Sequence, residues 1–227
     1  MFRAILVSML PMLFAATTAA QAQTAPSALE IAAYEGLHRA AQNGDVAEIR
    51  RLAAAGADVN ARDGHARTPA HVAAFASTDD ALRALAEAGA DMDALEGQAY
   101  DVVTIAAVAD DPQLMALAIE LGNDPGLTTS PYVGTALIAA AHLGRVEAVR
   151  RLIAAGAPLD HVNNLGWTAL MEAVVLGDGG SDHQQVVRLL LDAGADRLIA
   201  DRDGVTPLSH ARARGYSAMV GLLEAKR

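Results

Sequence analysis

Two short markers recur along this chain at one spacing, and that spacing limits what it can fold into more than any other feature. The first marker opens a helical run: EGLHRAA at 35, TPAHVAA at 68, DVVTIAA at 101, TALIAAA at 135, TALMEAV at 168 and TPLSHAR at 206. Successive starts lie 33, 33, 34, 33 and 38 residues apart. The second marker closes a helical run: AGADVN at 55, AGADMD at 88, LGNDPG at 121, AGAPLD at 155 and AGADRL at 193. Two markers holding one period over nearly the whole length require a repeat architecture, in which one unit is stacked on copies of itself.

Each unit has a local physical logic. Thr68 is suited to cap a helix with its hydroxyl, and Pro69 fits the first helical position, where no amide donor is needed. Thr206-Pro207 repeats the device, and Asp101 is a legitimate capping substitute. A short alanine-rich helix follows, ending near Asn43-Gly44, Leu143-Gly144, Leu176-Gly177 or Arg214-Gly215. A second helix carries leucine-type spacing, as in VAEIRRLAAAG, ALRALAEAG, VEAVRRLIAAG and VVRLLLDAG, and its closing glycine suits a left-handed helix end. Helices this short are marginal alone in water. They persist only by leaning on neighbouring units in a one-dimensional stack.

The Thr-Pro-x-His-x-Ala-Ala run, the Leu-x-x-x-Gly-Ala-Asp ending and the 33-residue period resemble the ankyrin repeat. The resemblance implies an all-α repeat solenoid of stacked helix-turn-helix units with β-turn tips. About six units are expected, approximately 34–66, 67–99, 100–133, 134–166, 167–204 and 205–227. Two units depart from the pattern. In the third, Asp101-Val102 replaces Thr-Pro, and LGNDPGLTTSPYVG, with Pro125 and Pro131, predicts a longer, stiffer link. The fifth inserts DGGSDH, Asp178 to His183, between its two helices.

Ahead of the repeats, Met1-Phe2-Arg3 supplies one positive charge, Ala4 to Ala16 is nearly all apolar, and Ala20-Gln21-Ala22 places small residues two apart. This is the composition of a cleaved secretory leader, assigned to residues 1–22. An uncleaved anchor is the alternative, but a span needs ~20 apolar residues and this stretch is shorter and holds Pro11. Residues 23–33 form a lead-in, where Ser27 and Glu30 are spaced for a capping box that would cover the exposed end of the stack.

The chain has no cysteine, which removes disulfides, thiolate metal sites and cysteine nucleophiles. Export, abundant alanine and the lack of disulfides together predict a periplasmic or secreted protein. Loss of Arg3 with the leader leaves 16 basic residues against 27 acidic ones, a net charge of −11. Nucleic acid and anionic lipid are poor partners for such a chain, and solubility is the plain reading of its charge.

No catalytic constellation stands out, and no cofactor is implied. His38 and His71 share one place in the frame; in ankyrin repeats, by resemblance, that histidine ties neighbouring turns together. His142, His161 and His183 come from different frame positions and form no His-x-x-x-His pair on one helix. Ser130, Ser181 and Ser209 lack the glycines of a nucleophile elbow. An enzyme is therefore not expected. The alternative is a small-ligand protein, a metal-binding protein or an enzyme built on the 178–183 insertion, although that segment lacks the ligand ladder of a calcium loop.

Function is then expected on a surface. In proteins that this one resembles, partners contact the turn tips and the exposed side of each first helix. The residue before each helix cap is Arg67, Tyr100, Gly134, Trp167 or Val205, and the first helices end at Gln42-Asn43, Phe75-Ala76, Val108-Ala109, His142-Leu143, Val175-Leu176 and Ala213-Arg214. Four of the six aromatics that follow the leader map to this face. The expected site for a protein partner is a groove along Arg67, Phe75, Tyr100, Tyr132, His142, Trp167, Val175 and Leu176, with Arg62 nearby. A monomer is expected, with end-to-end self-association as the competing architecture.

Overall fold

The computed structural model describes residues 25–225, which are helix, turn or loop apart from one isolated antiparallel bridge between Thr129 and Gly134; the leader assigned to 1–22 lies outside this range. A lead-in helix, α1 (Ala28–Ala33), precedes six helix pairs. The first helices of the pairs are α2 (Gly36–Asn43), α4 (Pro69–Phe75), α6 (Val102–Ala109), α8 (Ala136–His142), α10 (Ala169–Val175) and α12 (Pro207–Ala213). Their partners are α3 (Val46–Ala54), α5 (Asp79–Glu87), α7 (Pro112–Glu120), α9 (Val146–Ala154), α11 (Ser181–Ala193) and α13 (Ser217–Glu224).

Four of the first helices start where the sequence supplies an acceptor. Thr135, Thr168 and Thr206 each accept the amide three residues on, and Asp101 does the same for Thr104 at 2.8 Å. Each first helix packs on the next, α2 on α4 and so on to α12, while the second helices line the opposite side. The first helices are buried almost throughout: every residue from Pro69 to Ala74 and from Ala169 to Val174 is enclosed. Their small side chains permit this close approach. The second helices fill the remaining space with Ile49, Leu82, Leu85, Leu114, Val149, Leu152, Val187 and Leu190. One continuous core results, running from Tyr34 to Leu223.

Polar ladders lock neighbouring units in register. His38 Nε2 meets the Arg67 carbonyl at 3.0 Å, and His71 Nε2 meets the Tyr100 carbonyl at 3.1 Å. The Thr68 amide donates to His71 Nδ1, so Nε2 carries the proton and is the donor to Tyr100. Burial holds this imidazole at about 4, and it is neutral at physiological pH. On the other edge, Asn60 Oδ1 accepts the Asp91 amide, Asp93 Oδ1 the Asp124 amide and Asp160 Oδ1 the Asp196 amide, at 2.7–2.9 Å. The acidic second marker is thus a row of hydrogen-bonded loops.

The lead-in is a separate short helix. Its Ser27–Glu30 capping box is formed, and Glu30 also pairs with Arg67. Arg67, expected on the partner face, is instead 1% exposed; Asp63 binds its Nε at 2.7 Å, and Tyr34 donates to the same carboxylate at 2.8 Å. Burial alone would raise the Asp63 pKa, but the hydrogen bonds from Arg67 and Tyr34 outweigh it and hold the carboxylate at about 2. Arg67 is therefore the bolt that fixes α1 to the first turn.

The two irregular units are accommodated differently. In the third, Thr104 stands in the place of His71 and contacts Thr129 Oγ1 at 3.0 Å, so a pair of threonines replaces the histidine tie. In the fifth, only Asp178–Gly180 remains loop. Ser181, Asp182 and His183 join α11, which reaches 13 residues against 8 or 9 in the other second helices. The insertion lengthens a helix more than it bulges a loop.

Candidate functional site

Five turns project between the units, and each is closed by the same chemistry. The backbone amides of Asp63, Glu96, Thr129, Asn163 and Asp201 donate to the carbonyls of Arg67, Tyr100, Gly134, Trp167 and Val205 at 2.8–3.0 Å. In four turns the first residue's side chain also accepts two amides of its own turn: Asp63 from His65 and Arg67, Glu96 from Gln98 and Tyr100, Asn163 from Leu165 and Trp167, Asp201 from Asp203 and Val205. The turns are also joined to one another: Gly97 donates to the His65 carbonyl, Ser130 to that of Ala99 and Asn164 to that of Tyr132. They form a linked rail beside the first helices.

Each turn needs a left-handed residue just before its last position. Gly166 and Gly204 fill that place in the fourth and fifth turns, whereas Ala66, Ala99 and Val133 adopt φ of 59°, 61° and 56° in the first three. The chain reverses there, and the side chain that follows lies against the stack. For this reason the residue before each helix cap is buried or half-buried in all five units.

That geometry divides the expected site. Tyr100, like Arg67, is not available: it is 8% exposed and belongs to the core. Phe75, Trp167 and Val175 are half-buried, and Phe75 packs against the core. Tyr132 and Leu176 are open, at 46% and 43% exposed, and His142 is partly so. The structure adds Val133, Leu143 and Leu165, all exposed apolar side chains on the same rail or at the same helix ends. A sequence signal for Leu165 exists: it occupies a turn tip where the first two turns carry His65 and Gln98. The exposed apolar surface of this face therefore runs from the turn that closes the third unit through the fourth and fifth units, and does not run the length of the stack.

Beside that patch stands a polar pair in which the sequence-predicted His142 is joined by Glu172, a residue the sequence reading missed. Glu172, on α10, is 4% exposed; Asn163 Nδ2 donates to its Oε1 at 2.9 Å. Its Oε2 has no hydrogen-bond partner, and His142 Nδ1 lies 3.6 Å away. Burial pushes the Glu172 carboxyl up to about 7. Burial and the neighbouring His183 push His142 downward.

The 178–183 insertion is engaged internally. His183 Nδ1 meets Asp178 Oδ1 and its Nε2 meets the His142 carbonyl, both at 2.9 Å. Tyr216 donates to the Gly177 carbonyl at 3.1 Å. Asp178 and His183 fasten the insertion to α8. Among the described residues no three histidine or acidic side chains converge as a metal site.

Comparison with known proteins accords with this architecture. Residues 103–197 and 37–79 match family descriptions of ankyrin repeats, in three copies and many copies respectively. The putative ankyrin repeat protein YahD of Escherichia coli (strain K12) is 33% identical over 185 residues, which is 81% of this chain and 92% of that protein. The crystal structure of an ankyrin repeat domain from Acinetobacter baumannii AYE is 45% identical, with a TM-score of 0.77 over 82% of this chain and 95% of that one. The ankyrin repeat protein EF0377 superposes with a TM-score of 0.77 at 28% identity, covering 86% of this chain and all of that one.

Proposed function

Because the chain belongs to the ankyrin-repeat family, we propose that it is a protein-binding module without catalytic chemistry of its own, docking or protecting an envelope or periplasmic partner along the face formed by its turns and first helices. The ankyrin repeat is a protein–protein interaction fold; the partner, its compartment and the docking face are this proposal.

One observation carries the reading. Tyr132, Val133, Leu143, Leu165 and Leu176 are each more than a third exposed, and the turns and first helices that bear them are neighbours in the stack. A cluster of large apolar side chains left open on a soluble surface is what a docking site presents before it is covered. The rail of hydrogen-bonded turns holds Tyr132, Val133 and Leu165 in place in advance, and the buried first helices fix Leu143 and Leu176, which lowers the ordering cost of binding.

Site-specific photocrosslinking in the producing cell tests the proposal. A photoreactive residue at Leu165 or Leu176 is expected to yield a discrete adduct, and one at Arg83 or Arg150, on the second helices, is not. Equal adducts from both faces, or none from either, would remove the docking face.

A further inference from the structure

Glu172 is not explained by docking alone. It stands four residues after its helix cap, where the other units carry Arg39, Val72, Ile105, Ala139 and His210. In the last unit the equivalent pair is complete: His210 Nε2 meets Asp201 Oδ2 at 2.7 Å. In the fifth unit the turn residue is Asn163, an amide, which satisfies Oε1 and leaves Oε2 with no hydrogen-bond partner and 3.6 Å from His142 of the preceding unit.

The other charged groups around α10 are engaged elsewhere. The segment entering α11 brings Asp178 and His183, bonded to each other. From α12 come His210, held by Asp201, Arg212, paired with Glu224, and Arg214, lying 5.8 Å over the Tyr216 ring. Arg202, in the last turn, donates to the Asn164 carbonyl. Among the described residues, His142 is the one basic side chain in an ion-pair contact with Glu172.

We propose that Glu172 and His142 share one proton across this gap, and that its gain or loss sets the charge and the His142 position on the docking face, so that occupancy of the face is linked to pH. The proton on Glu172 Oε2 has Nδ1 of His142 as its acceptor. In acid both groups are protonated and the face carries the imidazolium. As pH rises, one proton is held between the two groups, and a modest inward movement of His142 closes the gap. At higher pH the pair loses that proton and leaves a buried carboxylate, which draws any cation near the face. A buried acid that titrates near 7 accords with this geometry. The pair itself is a property of the chain alone; only its effect on occupancy rests on the docking reading.

The test is a proton-linked NMR titration of the intact protein, following the Glu172 carboxyl carbon and the His142 ring. The His142 signal is expected to show two inflections, the second coinciding with that of Glu172 and absent in Glu172→Gln. His142→Asn is expected to move the Glu172 midpoint by roughly half a pH unit or more. A single His142 inflection, identical in the protein and in folded Glu172→Gln, together with an unmoved Glu172 midpoint in His142→Asn, would overturn the pair. If Leu165 yields no adduct while the titration shows coupling, the docking reading falls and the pair stands. If Leu165 crosslinks and the titration shows no coupling, only the pair falls.

Discussion

Asn123 Nδ2 donates to Asp101 Oδ2 at 2.8 Å, while Asn123 Oδ1 accepts the Val103 amide at 3.0 Å. Both residues depart from the repeat: threonine fills the place of Asp101 in four other units, and alanine that of Asn123. The two departures are one feature. Asp101 uses Oδ1 to cap α6 and is buried, which raises its pKa; Asn123 gives its second oxygen a donor.

A double-mutant cycle follows. Asn123→Ala leaves a buried carboxylate oxygen unpaired and is expected to cost about 2–3 kcal/mol. Combined with Asp101→Thr, the pair returns to the pattern of the other units and much of that loss is recovered. Chemical denaturation of the four proteins measures it. Strict additivity of the two single changes would show that the residues are not coupled.

The His71 tie gives a pH signature. Its native pKa of about 4 lies below the 6.5 of an ordinary histidine, so its contribution is present above pH 6.5 and is lost as pH falls through 4. Over that window the unfolded chain binds a proton that the native protein refuses, a loss of about 3 kcal/mol. His71→Ala is expected to lower stability at pH 7.5 by about 2 kcal/mol or more and to flatten this part of the acid slope. Thermal melts of both proteins from pH 4 to 7.5 check it. Parallel curves would refute the assignment.

Val133 is a β-branched residue at φ 56°, exposed at the third turn. That conformation costs a β-branched side chain roughly 1–2 kcal/mol, less the entropy that glycine adds to the unfolded chain. Val133→Gly is expected to stabilise the protein by up to about 1 kcal/mol, a Tm rise of roughly 2–4 °C. The reciprocal Gly166→Val is expected to destabilise by more, since even a Cβ there would stand 2.8 Å from Arg202 Cγ. Differential scanning calorimetry of the two variants is sufficient; a lower Tm for Val133→Gly would contradict the strain.

Export is tested at the amino terminus. If residues 1–22 are removed as a leader, the protein recovered from the periplasm or medium begins at Gln23. Amino-terminal sequencing that finds Met1 on protein retained in the cytoplasm would contradict it.

The repeating parts of this fold were legible from residue spacing because they depend on neighbours within a few positions: a Thr cap, a proline at the first helical residue, a glycine at a helix end. The histidine ties were expected from the family resemblance, not from spacing, and His38 and His71 do meet the equivalent turn carbonyl one unit on. What spacing did not disclose depends on partners from other units. Arg67 reads as a turn residue on the surface until Glu30, 37 residues earlier, is seen to meet it. Tyr100 reads as a docking aromatic until the left-handed Ala99 is seen to turn it inward. Glu172 reads as an ordinary helix acid until Asn163 and His142 enclose it.

The central claim is that the open apolar patch from the third turn through the fifth unit holds a protein partner. The most direct measurement places the photoreactive residue at Leu143 on the same face, replaces Leu165 and Leu176 together with aspartate, and compares recovery of the crosslinked adduct with that of the otherwise unaltered protein and of an Arg83→Glu control, each carrying the same photoreactive residue. The account predicts at least a tenfold loss for the double variant, about 1.4 kcal/mol or more of binding energy, with unchanged helical circular dichroism and an unaffected control. Undiminished recovery by a folded double variant would contradict it.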